Sequence, residues 1–144
     1  EETAWKLLGP EARAFPEAER AALVRETLAV LAHPDFAPIF GPGSRAEAPV
    51  AGLIETREGP RPLSGQLDRI LVTPEKVLVV DYKSNRPAPE RESAVSPAYL
   101  RQMAAYRALL RQVYPGREVV CALLWTDAPR LMQLSPESLD THAP

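Results

Sequence analysis

The chain has 144 residues, 45% hydrophobic and 25% charged, which suffices for one packed core and points to a single domain. A formal net charge of -2 excludes a tail that holds nucleic acid by bulk positive charge, and no apolar run approaches the length of a membrane span. Cys121 is the only cysteine, which excludes an internal disulfide, and residues 1–30 lack a signal-peptide layout, so a reducing cytoplasm is the expected compartment.

Residues 3–8 read as a short helix closed by Gly9-Pro10. Residues 17–32 (EAERAALVRETLAVLA) place Ala21, Val24, Leu28 and Leu31 on one stripe, which predicts an amphipathic helix ending before Pro34. His33 reads as a capping or surface residue, and Phe36, Ile39 and Phe40 as anchors in a turn-rich segment. From residue 46 the pattern becomes extended. Residues 46–55 predict a strand that Pro49 interrupts or confines to an edge, and EGPRP reads as a turn. Residues 64–72 and 76–83 predict two further strands joined by a tight turn at Thr73-Pro74-Glu75-Lys76. SNRPAPERESAVS predicts a mobile loop, and Ser96-Pro97 supplies a cap and first-turn proline for a helix over 97–114. Strands over 118–126 and 130–134 close the series.

The hairpin at Pro74-Glu75 carries a geometric consequence. Facing residues in it add to 149, so Val72 meets Val77, Ile70 meets Val79 and Asp68 meets Asp81. With side chains alternating, Asp68, Ile70, Val72, Val77, Val79, Asp81 and Lys83 share one face. Its floor is apolar and its far end ionic. Two carboxylates facing each other repel, and a divalent cation between them converts repulsion into ligation. Magnesium, with manganese as a substitute, suits such hard oxygen donors. Lys83 is then placed to orient a nucleophilic water or to steady a pentavalent transition state. The plainer alternative is a pair of solvated strand-end charges with Lys83 neutralising one of them.

LSGQLDRILVTPEKVLVVDYKSNRPAP resembles the nuclease domain of AddA-type and RecB-type bacterial helicase-nucleases, within the PD-(D/E)XK superfamily. The resemblance covers roughly residues 30–134. It places the first acidic position at Asp68 in GQLDRI, the D/E-X-K element at Asp81-Tyr82-Lys83, and the QxxxY element at Gln102 to Tyr106. It further implies Glu47 as an additional acidic metal ligand and the Tyr82 main-chain carbonyl as another. The implied fold is α/β, a restriction-endonuclease-like core with a central mixed sheet flanked by helices. The implied activity is magnesium-dependent hydrolysis of DNA. In the parent machine, ATP serves only the helicase part, an AddB-type subunit is the partner, and the task is double-strand break repair. The family's metal-binding histidine on an upstream helix has no match here, and the start at Glu1 without Met is expected to reflect a fragment that lacks that helix and the helicase domains.

The same resemblance places Gln102 and Tyr106, neighbours on one helix face, near DNA phosphate or the carboxylate strand. Asn85 and Arg86 are candidates for backbone phosphate contacts. Arg69 and Tyr82 point away from the two acids, and Trp125 and Cys121 read as core. Arg101, Arg107 and Arg111 read as a basic or merely solvated helix edge. Two further readings stay open: a DNA-binding or scaffold domain that keeps the fold without catalysis, and a different metal-dependent hydrolase with a small enclosed pocket.

Overall fold

In the computed structural model, which describes residues 14–144, the breaker-free run after Pro16 forms helix α1, Glu17–Ala32. The helix expected over residues 3–8 lies outside the described residues. Val24 and Val30 are buried on α1, whereas Leu31 is 52% exposed. The helix meets the sheet through Val30, which packs in one cluster with Val80, Ala122 and Leu124. Leu31, one residue on, is turned about 100° away. His33 caps the following 3-10 turn by accepting the Asp35 amide at 3.3 Å, and its ring stacks on Phe36 at 4.0 Å. Phe36 and Ile39 are buried and Phe40 partly so, with Ile39 and Phe40 on the short helix α2, Ala37–Phe40.

Strands β1 (Ser44–Thr56), β2 (Gly59–Val72), β3 (Lys76–Lys83), β4 (Glu118–Trp125) and β5 (Arg130–Gln133) form one sheet in the order β1-β2-β3-β4-β5. All neighbours are antiparallel except β3 and β4, which are parallel and joined through helix α3, Pro97–Val113. A parallel pair needs such a crossover, whereas a two-residue turn suffices for β2 and β3. The mixed sheet between helices is the expected α/β architecture. The β2–β3 register is also as expected, with Ile70 opposite Val79 and Val72 opposite Val77.

One expectation about the strands is corrected. EGPRP is not all turn: β2 begins at Gly59 and runs through Pro60 and Pro62, and the reversal is made at Arg57-Glu58, followed by Gly59 at φ 103°. The prolines stand two apart, so both missing amides face one edge, and that edge is free because β3 pairs only with Arg69 to Val72. Beyond β5 the chain forms one more helix. Ser135 accepts the Ser138 amide at 3.2 Å and caps helix α4, Pro136–Thr141, which buries Leu139.

The larger core lies between the sheet and α3. Leu100, Met103, Ala104, Tyr106 and Leu110 form its helix side, and Val77, Val79, Cys121 and Leu123 its sheet side. Each fully buried side chain of Leu or Met size contributes roughly 1.5–3 kcal/mol. Ser96 accepts the Ala98 amide and sets where α3 starts, so the residues of its first turns are fixed relative to the end of β3. Loop 84–96 is pinned, contrary to the mobile segment expected. Arg86 pairs with Glu26 at 2.6 Å and with Asp127 at 3.3 Å, Arg130 donates to the Pro89 carbonyl at 2.8 Å, and Glu92 accepts the Ser135 amide at 2.9 Å.

Candidate active site

Strand β3 is the sheet's middle strand, and its VLVV run is buried almost completely, so Asp81 arrives at the sheet end still 5% exposed. Lys83, two residues on, returns to the same side. Its ammonium is 2.5 Å from Asp81 Oδ2, with both side chains largely buried. The two form a close ion pair. Burial raises the Asp81 carboxyl above its ordinary range, Lys83 pulls it back in part, and the Asp68 charge pushes it up further.

The β2–β3 ladder is recorded from Val72 to Arg69, and Asp68 and Asp81 are not paired in it. Instead Asp68 Oδ2 accepts the Tyr82 amide at 2.7 Å. A carboxylate that takes an amide hydrogen from the opposite strand holds that strand where the ladder stops. Both strands of the β1–β2 arm change faces at this level. Ile70 and Val72 face the α3 core, but so do Leu67 and Leu63, which have the opposite parity, and Ala48 and Val50 on β1 accompany them. The β1–β2 register passes from Ala46 opposite Arg69 to Ala48 opposite Leu67, with Glu47 and Asp68 unpaired between them, and Glu47 adopts φ 51°. That left-handed conformation costs a non-glycine residue roughly 1–2 kcal/mol.

A chain of polar contacts leads from Lys83 into α3. Lys83 Nζ donates to Gln102 Oε1 at 3.4 Å, Gln102 Nε2 donates to Tyr106 Oη at 3.5 Å, and Tyr106 Oη donates to the Gln66 carbonyl at 3.3 Å. Gln66 Nε2 in turn donates to Glu47 Oε2 at 2.6 Å. Asp68, Asp81, Lys83, Gln102 and Tyr106 are therefore brought to one end of the β2–β3 pair and the adjacent face of α3. Glu47 stands at its edge, exposed, with its carboxylate turned to Gln66.

A model of the PD-(D/E)XK nuclease superfamily matches residues 2–142. The chain belongs to this superfamily. Nucleases of the superfamily generally use divalent metals such as Mg2+. The chain is also similar to the protein in the crystal structure of SSO0001, at 15% identity and a TM-score of 0.44, over 98% of this chain and 64% of that one. It thus spans less than two thirds of that protein's length. No curated protein sequence matches it.

A PD-(D/E)XK metal site calls for hard oxygen donors. Asp68 and Asp81 supply carboxylates on neighbouring strands, the donor chemistry such a cation takes, with Asp81 Oδ2 met by the Lys83 ammonium. Among the described residues, no three His, Cys, Asp or Glu side chains converge on one point that a metal could occupy. The side-chain donors present there are the carboxylates of Asp68 and Asp81.

Residues around the site take other roles than some of those expected. Asn85 accepts the Tyr99 hydroxyl at 2.7 Å, and Arg86 is held by Glu26 and Asp127, so both side chains are engaged within the protein. Arg107 is not on a solvated edge. It is 4% exposed and paired with Asp140 of α4. Arg69 donates to the Tyr82 hydroxyl at 3.0 Å, the Ser44 hydroxyl at 3.0 Å and the Ile39 carbonyl at 3.2 Å. Tyr82 itself packs in the α1-side cluster, as its parity requires. Trp125 is 1% and Cys121 0% exposed, both core as expected.

Sequence reasoning passed over Tyr99, whose ring lies 3.9 Å from Lys83 Nζ. The signal was in the spacing: Tyr99, Gln102 and Tyr106 recur at i, i+3 and i+7, one stripe of α3. Gln66 was also missed. Nothing in its residue type marks a glutamine that joins two motif elements through its carbonyl and its amide.

Proposed function

We propose that the chain hydrolyses DNA phosphodiester bonds with a divalent cation, Mg2+ or in its place Mn2+, as the nuclease part of an ATP-dependent helicase-nuclease. Asp68 and Asp81 would hold the cation together with the main-chain carbonyl of Tyr82, and Glu47 would add a carboxylate from the β1 side. The chemistry such a cation supplies is Lewis-acid polarisation of the scissile phosphate and a lowered pKa for the attacking water. Lys83 presents its ammonium to the attacking water or to a non-bridging phosphate oxygen, where negative charge grows in the transition state. Gln102 restrains Lys83, and Tyr106 restrains Gln102 while tying α3 to β2. The observation that carries this reading is the buried Asp81–Lys83 pair at the end of the central strand, beside Asp68.

The AddA-type context, with an AddB-type partner, ATP used in a helicase part and a cytoplasmic role in double-strand break repair, rests on GQLDRI, DYKSNR and the Gln102–Tyr106 pair. No described helix is long and apolar enough to cross a membrane. A second reading, a nucleic-acid-binding or scaffold domain without catalysis, is favoured by one observation: no third acidic or histidine side chain joins Asp68 and Asp81 among the described residues. Labelled duplex and single-stranded DNA separate the two. Binding in Ca2+ followed by cleavage in Mg2+ supports the nuclease, and binding in both without cleavage supports the scaffold.

A further inference from the structure

We propose that Tyr99 is a positioning residue for Lys83, its ring face holding the ammonium over the site through a cation–π contact. The inference deepens the proposed nuclease reading and rests on it for its catalytic consequence. Among the described residues, three groups meet the Lys83 ammonium: the Asp81 carboxylate at 2.5 Å, Gln102 Oε1 at 3.4 Å and the Tyr99 ring at 3.9 Å from its centroid. The side chain of Lys83 is 12% exposed, so the ring quadrupole acts on a largely dehydrated cation, the condition in which it is strongest.

Tyr99 is itself held from two directions. Its hydroxyl donates to Asn85 Oδ1 at 2.7 Å, and its ring meets Trp125 at 6.3 Å with a 56° tilt. Trp125 is the register partner of Lys83 across β3 and β4 and is 1% exposed. The ring is thus fixed by the same strand pair that presents the lysine. Asp81 cannot hold Lys83 and serve as a ligand with the same oxygen. Tyr99 and Gln102 keep the ammonium in place without Asp81.

Replacement at position 99 tests this with two readouts. The chain has three lysines, Lys6, Lys76 and Lys83, so lysine-selective 13C labelling gives an assignable set of side-chain methylene signals. The expected result is a Lys83 methylene signal moved upfield by the ring in the wild type and in Tyr99→Phe, and lost in Tyr99→Leu. The shift persists in Asp81→Asn. In DNA cleavage, Tyr99→Leu lowers kcat about tenfold with KM unchanged and Tyr99→Phe restores it. Progressive fluorination of phenylalanine at 99 lowers kcat stepwise at nearly constant shape, which a packing role alone does not do. A Lys83 signal unchanged in Tyr99→Leu overturns the inference. So does a Tyr99→Phe variant as impaired as Tyr99→Leu, which would assign the effect to the Asn85 hydrogen bond. If the wild type cleaves no DNA, the nuclease reading fails while the methylene shift still decides the contact.

Discussion

The Asp68 carboxylate accepts the Tyr82 amide at 2.7 Å, at the step where the β2–β3 ladder ends. One side chain therefore has two tasks, an acceptor for the backbone and a charge for the site, and two substitutions separate them. Asp68→Asn keeps an oxygen for the amide and is expected to retain the wild-type Tm while losing cleavage. Asp68→Ala leaves a half-buried amide without its acceptor and is expected to lose about 1–3 kcal/mol of stability as well. Denaturant unfolding of the two variants beside the wild type checks this. Equal stability of both would remove the structural task from Asp68.

Gly65 lies under Tyr106. A Cβ at Gly65 would stand 2.8 Å from the Tyr106 hydroxyl and 3.0 Å from its ring, too close without movement. Gly65→Ala is expected to push Tyr106 off Gln66 and Gln102 and to lower kcat about tenfold through a misplaced Lys83, with a much smaller effect on folding. Gly52→Ala makes the control. Its Cβ would meet the Leu109 side chain, far along α3 from Gln102, and cleavage should change little. Steady-state cleavage rates of the two variants give the comparison.

Arg107 is buried while its partner Asp140 is 65% exposed. Asp140→Ala strands a guanidinium between α3 and α4, and the exposure of the lost carboxylate softens the cost to about 1–2 kcal/mol. A fall in the denaturation midpoint of that size, without loss of DNA cleavage per folded molecule, is the expected result.

Burial pushes the Cys121 thiol up to about 12 from 9.0. The unfolded chain releases this proton first, so the contribution to stability is complete below pH 9.0 and declines as pH rises toward about 12. The wild type should lose stability faster than Cys121→Ala across that window. In the folded state the thiol should resist alkylation at pH 8, and iodoacetamide labelling with and without denaturant measures both states.

The hairpin register was legible because a two-residue turn and alternating aliphatic residues leave one solution that buries Ile70, Val72, Val77 and Val79 together. The start of α3 was legible from Ser96-Pro97. The face switch at Glu47 was not, since a glutamate at φ 51° carries no compositional mark. Arg107 was misread because a helix sequence does not show that Asp140 will dock over it. Pro60 and Pro62 suggested a turn because their compatibility with β2 depends on the edge left open by the shorter β3. Tyr99 was passed over because its cationic neighbour arrives from another element, β3.

The most direct test of the central claim is cleavage of end-labelled linear DNA by this chain with Mg2+ or Mn2+, beside Asp81→Ala and with the cation removed by chelation. The account predicts cleavage by the wild type that stops on chelation and is absent in Asp81→Ala. DNA cut equally well by Asp81→Ala, or not cut by a folded wild type with either cation, would contradict it.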